Sequence, residues 1–227
     1  MKKMNMWVTY HQDEQIKEYS LCEDENTHLF KGNRVDVTGV NLNYLNSFYS
    51  EIVTLYWVWK NNVKSEVVGF CHYRRQFHKL LDIRKGECQV LGLNPTSSVF
   101  AHYKLAHNYH DLYDVIDIVN DLYGLDNRYA KYLMEGKVFI PFCCFVMHWK
   151  DYLRLCNFLF EILFEFDKRN SLNLDPVKYR AKAERDFRYG NIDYQQRYMG
   201  FLAERLISSF LVNDMKVLCI KEISRKE

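Results

Sequence analysis

The chain has 227 residues, of which 48% are hydrophobic and 16% aromatic, and its formal net charge is +2. This length predicts one domain with a substantial hydrophobic core. Proteins that bind nucleic acid usually concentrate many basic residues on one face, so the near-neutral charge balance argues against a nucleic-acid partner.

The cysteines and the hydrophobic runs indicate the cellular compartment of the protein. The 7 cysteines form no CxxC pair and no even framework, which favours reduced, mostly buried thiols of a cytoplasmic protein. The basic start lacks the apolar segment of a signal peptide. No uncharged run approaches the ~20 residues needed to span a bilayer. We therefore expect a cytoplasmic protein, and peripheral contact with the inner face of the membrane is compatible with these patterns.

Strand and helix patterns alternate in the first part of the chain. Residues 6–10 are a strand candidate, and a polar loop over 36–46 follows. Apolar residues at helical spacing predict one helix over 48–61, and a short β-branched run predicts a buried strand over 67–71. This order predicts a parallel sheet with helices packed on it.

The rest of the chain is predicted to be mainly helical. We expect residues 77–98 to form a long loop that crosses the face of the site. The elements expected after it are a helical region opened by Ser97 or Ser98, helices over 111–122 and 127–134, a second apolar strand over 138–148, helices over 149–166 and 194–212, a charged segment over 179–188 that moves or faces a partner, and an edge strand over 216–223.

The strand over 67–71 ends in four polar residues, His72, Tyr73, Arg74 and Arg75. Open α/β sheets bind ligands at the carboxyl ends of their strands. Two guanidiniums and an imidazole at such a place suit an anion that accepts paired hydrogen bonds, and phosphate is the usual one. The alternative is an exposed arginine pair that makes surface ion pairs.

A histidine cluster has residue types that bind metals. His107 and His110 are three residues apart and share a helix face with Asp111 nearby, whereas His102 points partly away. Because HExxH and cysteines at ligand spacing are missing from the sequence, histidines that hydrogen-bond in a substrate cleft are favoured over a zinc site.

Other catalytic motifs are missing from the sequence. There is no GxSxG elbow and no glycine-rich phosphate loop. Any diphosphate must then be held by side chains, which again indicates Arg74 and Arg75. Glu51 and Glu204 are candidates for a general base, with structural ion pairs as the alternative. Trp57 belongs to an aromatic stripe that predicts core packing, with stacking on a sugar or base as the alternative.

Several blocks of the sequence resemble one bacterial family. It was formerly catalogued as a domain of unknown function, is found in capsule, exopolysaccharide and lipopolysaccharide O-antigen loci, and is regarded as glycosyltransferases with galactofuranosyl transfer among its activities. The resemblance covers nearly the whole chain, although Cys143 and Cys144 stand where members usually carry an Asn-Met step. The blocks are Tyr-Trp-Val-Trp-Lys over 56–60, His-Tyr-Arg-Arg over 72–75, His-Tyr over 102–103 with His107 and Asp111, and Arg-Tyr-Met-Gly-Phe-Leu-Ala-Glu-Arg-Leu over 197–206.

The resemblance implies an α/β, GT-A-like (Rossmann-like) nucleotide-sugar transferase fold, a single domain over 1–227 with extra helices. Residues 1–125 would form the nucleotide-sugar half and residues 126–227 the acceptor-side half. UDP-galactofuranose is the first candidate donor, and UDP-galactose or another UDP-hexose the second. The implied acceptor is lipid-linked or a saccharide in surface polysaccharide synthesis, and the implied transfer is inverting.

The resemblance also implies residue roles. GT-A enzymes normally hold a divalent metal with an Asp-x-Asp, but here the corresponding strand ends in His-Tyr-Arg-Arg, which implies metal-independent transfer with no required cofactor. A metal held near His102, His107 and Asp111 is one alternative, and a non-catalytic scaffold that binds nucleotide or glycan is another. The implied contacts are donor-binding His72, Tyr73, Arg74, Arg75, Trp57 and Lys60, substrate-binding His102, Tyr103, His107, Asp111 and Arg197, and a base at Glu204 with Glu51 as second choice.

Overall fold

A computed structural model describes residues 3–185 and 191–219. Six of its strands form one sheet in the order β2-β1-β3-β7-β4-β8, and the other two form a small antiparallel pair. The strands are β1 (Met4–Tyr10), β2 (Thr27–Lys31), β3 (Val67–His72), β4 (Glu87–Val90), β5 (Asn94–Pro95), β6 (Val138–Phe139), β7 (Phe145–His148) and β8 (Lys216–Cys219).

Helices surround the sheet and account for most of the rest of the described chain. A short 3-10 helix at Asn43–Leu45 precedes the second helix. The helices are α1 (Glu14–Glu18), α2 (Asn46–Tyr49), α3 (Ile52–Lys60), α4 (Val99–Ala106), α5 (Tyr109–Tyr123), α6 (Arg128–Glu135), α7 (Trp149–Arg169), α8 (Pro176–Glu184), α9 (Ile192–Gln195) and α10 (Tyr198–Asp214).

The strand directions decide where a ligand site can lie. β1 runs parallel to β2 and β3, and β4 runs parallel to β8, whereas β7 is antiparallel to both β3 and β4. Five of the six strands therefore point the same way, and their carboxyl ends share one edge of the sheet. The predicted α/β class is confirmed.

The central strand β3 is buried at every position. Its apolar, β-branched residues suit a strand that is covered on both faces. Gly69 lets the neighbouring strands approach, because a Cβ there would lie 2.5 Å from Met6 Cε and 3.1 Å from Val146 Cγ2. On one face, the ring of Phe70 packs 5.1 Å from that of Tyr152 in α7. The core thus fixes β3 firmly before its polar end begins.

The structure corrects three of the predicted elements. The helix expected over 48–61 breaks at Ser50, whose φ of +53° ends α2. The loop expected over 77–98 contains β4, whose four residues form a strand because β7 and β8 pair with it. The run over 138–148 divides into β6 and β7, since Phe142 and Cys143 between them have positive φ. Strand pairing in the folded protein accounts for β4, and local backbone geometry accounts for the break in the helix and for the division of the run over 138–148.

The remaining predictions agree in part. The segment over 179–188 begins in α8, and residues 186–188 lie outside the described ranges. β8 is an edge strand as predicted, and residues 220–223 also lie outside them. All seven cysteines are described and are free thiols, five of them buried. In residues 3–185 and 191–219, no helix is both long and apolar enough to cross a membrane.

Candidate active site

A cavity of ≈ 560 Å³ lies at the carboxyl end of β3. Its walls come from the turn before α3, the end of β3, α4, the segment between β6 and β7, and the region from α9 into α10. Among its lining residues are Ser50, Glu51, His72, Arg74, Arg75, His102, His107, Phe139, Phe142, Cys143, Tyr194, Arg197, Gly200, Phe201, Glu204 and Arg205. The structure therefore brings together residues that lie more than 150 positions apart in the sequence.

A tight turn at the end of β3 presents the arginine pair. The backbone N–H of Arg75 donates to the carbonyl of His72 at 2.8 Å, and the N–H of His72 donates back to the carbonyl of Arg75 at 3.3 Å. This exchange closes the chain immediately after the strand. The backbone of Arg74 and Arg75 is therefore fixed at the end of the strand, and the Arg74 side chain is exposed.

Each of the four guanidiniums in the cavity lies over an aromatic ring. Such contacts hold an arginine by the face of its planar group and leave its N–H edge free to bind an anion. The Nε atoms of Arg75 and Arg205 are buried and have no hydrogen-bond partner among the residues that the structure describes. The pairs, with the distance from the guanidinium carbon to the ring centroid, are Arg74 over Tyr73 at 5.1 Å, Arg75 over Phe142 at 4.7 Å, Arg197 over Phe201 at 5.7 Å and Arg205 over Phe139 at 4.4 Å.

Glu51 lies directly before α3, and its side chain is 18% exposed. Its Oε1 is 3.7 Å from Nη2 of Arg197. Burial alone would raise the pKa of Glu51, but His72, in the protonated form that it takes in acid, and the guanidinium of Arg197 outweigh burial, so the pKa lies below its ordinary value. Glu51 is therefore an ionised carboxylate near neutral pH.

Glu204 in α10 has the opposite electrostatic balance. Burial raises the pKa of Glu204 above its ordinary value, although the adjacent Arg205 acts in the other direction. Its Oε1 accepts a hydrogen bond from the backbone N–H of Phe142 at 2.6 Å, and its Oε2 accepts one from Nη1 of Arg205 at 2.8 Å. A pair of carboxyls whose pKa values are driven apart is the pattern expected when only one of them exchanges a proton.

The cavity histidines are neutral at pH 7. Burial lowers the pKa of His72 to about 4 and that of His107 to about 3. Nδ1 of His102 lies 3.2 Å from Nη2 of Arg205, and an arginine can only donate, so this nitrogen accepts and the proton resides on Nε2. The net charge of the cavity therefore comes from its arginines and glutamates.

A smaller polar recess of ≈ 240 Å³ adjoins the cavity. The two share Ser50, Glu51, Arg74 and Arg197, and the recess also reaches His11, Asn46 and Tyr73 near the carboxyl ends of β1 and β3. A ligand longer than one sugar can therefore extend from the cavity along the sheet edge.

Two residues predicted to bind the donor lie elsewhere. Nε1 of Trp57 donates to the carbonyl of Thr38 at 2.8 Å, and the ring lines a separate groove with Trp7. Nζ of Lys60 lies 3.7 Å from the centroid of Trp59. Lys60 is nine residues after Glu51, roughly 13 Å along a helix. Neither Trp57 nor Lys60 lines the cavity, so we do not assign them a donor contact.

Two residues predicted to bind the substrate also lie outside the cavity lining. Tyr103 lies behind Arg205, whose guanidinium carbon is 5.0 Å from the ring centroid. Asp111 is buried and forms an ion pair with Lys182 that joins α5 to α8. Within the described chain, no group of three or more His, Cys, Asp or Glu side chains could hold a metal ion. The alternative of a metal held jointly by His102, His107 and Asp111 therefore does not match the geometry.

Sequence reasoning missed several residues of the cavity, among them Phe139, Phe142 and Arg205. Phe139 and Phe142 belong to the apolar run over 138–148, and no local signal distinguishes an aromatic residue beneath a guanidinium from one in a core. Arg205 follows Glu204 directly in the sequence, which indicates only an ion pair between the two. Its role as a buried cation becomes apparent only when α4 places His102 beside it.

Comparisons with known proteins identify the family and the fold. The apo structure of the WbbM bifunctional glycosyltransferase is similar, with a TM-score of 0.73 and 18% identity over 96% of this chain and 44% of that one. This chain thus spans less than half of that protein. No curated protein sequence matches it. The GT-A-like fold predicted above is confirmed. Because the family model described as domain of unknown function DUF4422 matches residues 5–91 and 93–215, the chain belongs to that family.

Proposed function

We propose that this chain is a glycosyltransferase that moves a sugar from a UDP-sugar donor to a saccharide or lipid-linked acceptor. The observation that carries the proposal is one cavity at the carboxyl edge of the sheet, lined by four arginines but only two glutamates. Since its histidines are neutral, the cavity has an excess of positive charge that a diphosphate would neutralise. The similarity in fold to a bifunctional glycosyltransferase supports the same reaction class.

The arginines would take the place of a metal ion on the diphosphate. Arg74 and Arg75 project from the strand end, and Arg197 enters from the start of α10. Guanidinium edges match phosphate oxygens with paired hydrogen bonds. Because aromatic rings already hold the guanidiniums in place, they need little reorganisation when negative charge develops on the leaving UDP. The neutral imidazole of His72 would act as a hydrogen-bonding group rather than as a charge.

Glu204 is our choice for the general base. Its raised pKa makes it a stronger proton acceptor than Glu51, whose pKa is lowered. In the proposed step, Glu204 takes the proton of an acceptor hydroxyl, whose oxygen bonds to the anomeric carbon while the bond to UDP breaks. The attack comes from the face opposite UDP, so the configuration inverts. Glu51 stays ionised and holds Arg197.

The cavity and its recess suggest an order of binding subsites. The nucleoside would occupy the polar recess near His11 and Asn46, and the diphosphate would lie beside Arg74 and Arg75. The acceptor would approach from the wall that contains His102 and Tyr194. UDP-galactofuranose is the first donor to test, followed by UDP-galactose, and the proposed setting is bacterial surface polysaccharide synthesis at the inner face of the membrane.

The test is UDP release from a panel of UDP-sugars, measured with and without a chelator and with a panel of saccharide acceptors. We expect turnover with one UDP-hexose that survives the chelator and falls strongly in Arg75→Ala. The matched control is Arg84→Ala, since Arg84 is exposed and lies outside the cavity lining. Loss of activity with the chelator would overturn the guanidinium mechanism. Binding of UDP without any turnover across the panel would favour the scaffold alternative.

A further inference from the structure

One residue beside the cavity adopts a backbone conformation that is unfavourable for its type. Ser50 has φ +53° and ψ −138°, a region that glycine populates far more readily than other residues. A non-glycine residue held there is strained and persists only where its surroundings fix it. Ser50 is only 5% exposed, so contact of its hydroxyl with solvent does not explain why a serine rather than a glycine stands at this position.

The surroundings of Ser50 do fix it, from both sides. Its N–H donates to the carbonyl of Asn46 at 2.8 Å, and its own carbonyl accepts from Nδ2 of Asn46 at 3.1 Å. On the other side, α10 comes very close. A Cβ added at Gly200 would lie 2.9 Å from Oγ of Ser50 and 3.1 Å from its Cβ. A glycine in α10 therefore permits the contact between this helix and the strained turn.

The hydroxyl of Ser50 has a defined partner. Nε of Arg197 donates to Oγ at 2.9 Å, while Nη2 of the same guanidinium lies 3.7 Å from the Glu51 carboxylate. Nε is thus used by the serine, and the remaining edge of the guanidinium is turned toward Glu51 and the cavity. Glycine at position 50 would remove the backbone strain but could not accept this hydrogen bond.

We infer that Ser50 is a positioning residue: its strained turn and its hydroxyl together set the orientation of the Arg197 guanidinium in the cavity. The consequence for catalysis rests on the proposed function: an Arg197 guanidinium in this orientation binds the donor diphosphate. Ser50 itself acts through Arg197.

Two substitutions separate positioning from stability. Ser50→Gly removes both the hydroxyl and the strain, whereas Ser50→Ala removes the hydroxyl and keeps the strain. We expect Ser50→Gly to unfold at a higher temperature than Ser50→Ala, and both to bind UDP more weakly by on the order of fivefold, the effect of one hydrogen bond. A rise in the donor KM with little change in kcat should accompany the weaker binding.

Ser171→Gly is the matched control, because Ser171 also has positive φ, +54°, but is exposed and lies outside the cavity lining. We expect it to leave UDP affinity unchanged. The second readout is the Arg197 Nε–H signal in NMR spectra of the nucleotide-free protein, which should shift and exchange faster in both Ser50 variants. Wild-type UDP affinity in Ser50→Gly, or an unchanged Nε–H signal, would overturn the inference. If the wild type binds no UDP, the proposed function fails, and the NMR signal still decides the role of Ser50.

Discussion

Replacing Glu204 with glutamine tests the proposed general base most directly. Glutamine has nearly the same shape, and its carbonyl oxygen can still accept the hydrogen bond from the backbone N–H of Phe142. It cannot accept a proton from the acceptor. General-base catalysis contributes on the order of 10²- to 10⁴-fold in rate, so we expect kcat to fall by that factor, about 3–5 kcal/mol of activation free energy.

The same substitution has a structural cost that can be bounded. The amide NH₂ of the glutamine would face Nη1 of Arg205, which is now 2.8 Å from a carboxylate oxygen, and two donors cannot bond. Arg205 is 3% exposed, but it keeps the carbonyl of Phe201 and its aromatic contacts. Losing one charged hydrogen bond costs about 1–3 kcal/mol. For a chain of this length, this corresponds to a fall in Tm of about 2–12 °C.

The assay is therefore single-turnover UDP release at a temperature well below the measured Tm of the variant. Glu161→Gln makes the same chemical change at an exposed carboxylate of α7 and should leave kcat unchanged. The pH profile adds a second readout. The acid limb of wild-type kcat/KM should lie above the ordinary glutamate pKa of 4.5 and should disappear in Glu204→Gln. A folded Glu204→Gln protein with kcat within about tenfold of wild type would refute the assignment, and a large loss in Glu51→Gln instead would transfer the role to Glu51.

Four further outcomes are expected. Arg75→Ala should weaken UDP binding about 10- to 100-fold by calorimetry, with Arg75→Lys restoring only part of it, because lysine lacks the planar fork; equal affinity in all three proteins would exclude a diphosphate contact. UDP binding should persist after chelator treatment, and its loss would indicate a metal. The folded-state pKa of His107 is about 3 against 6.5 when unfolded, so its contribution is complete above pH 6.5 and is lost on acidification. Between pH 7 and 5, His107 should account for about 2 kcal/mol of the fall in the free energy of unfolding, measured in urea titrations as the difference between the wild type and His107→Phe, because His72 adds a fall of its own. Gly200→Ala should destabilise by about 1–3 kcal/mol because its Cβ meets Ser50 in the strained turn. Gly92→Ala should not, because a Cβ at Gly92 would lie 3.8 Å from Pro141 Cγ, an ordinary van der Waals distance.

The sequence predicted the strand that delivers the arginine pair because that information is local. A short β-branched run is followed at once by His72, Tyr73, Arg74 and Arg75, so both the burial of the strand and the polarity of its end are visible in neighbouring letters. The sequence alone offers Glu51 and Glu204 as equal candidates for the base, and only the family resemblance places Glu204 first. Its raised pKa depends on burial and on Arg205, which no local pattern reports.

What could not be predicted depends on long-range pairing or on backbone geometry. β4 has only four residues, and it is a strand because β7 and β8 flank it. The helix expected over 48–61 breaks at Ser50 for a reason that lies in α10, about 150 residues later. Trp57 shows a second limit: the resemblance implies a donor contact for this residue, whereas the structure places its ring in a separate groove with Trp7.

The strand order has a consequence for how the molecule is made. β3 and β4 never touch as neighbours, because β7 lies between them, and β4 gains its second neighbour only when β8 is added near the end of the described chain. Pairings between such distant segments form late and slowly in folding. A ribosome that has released only the first 125 residues therefore holds a sheet of three adjacent strands with an unfilled edge at β3. During synthesis this edge is exposed to other chains, so expression yield should depend on how quickly the second part of the chain emerges to cover it.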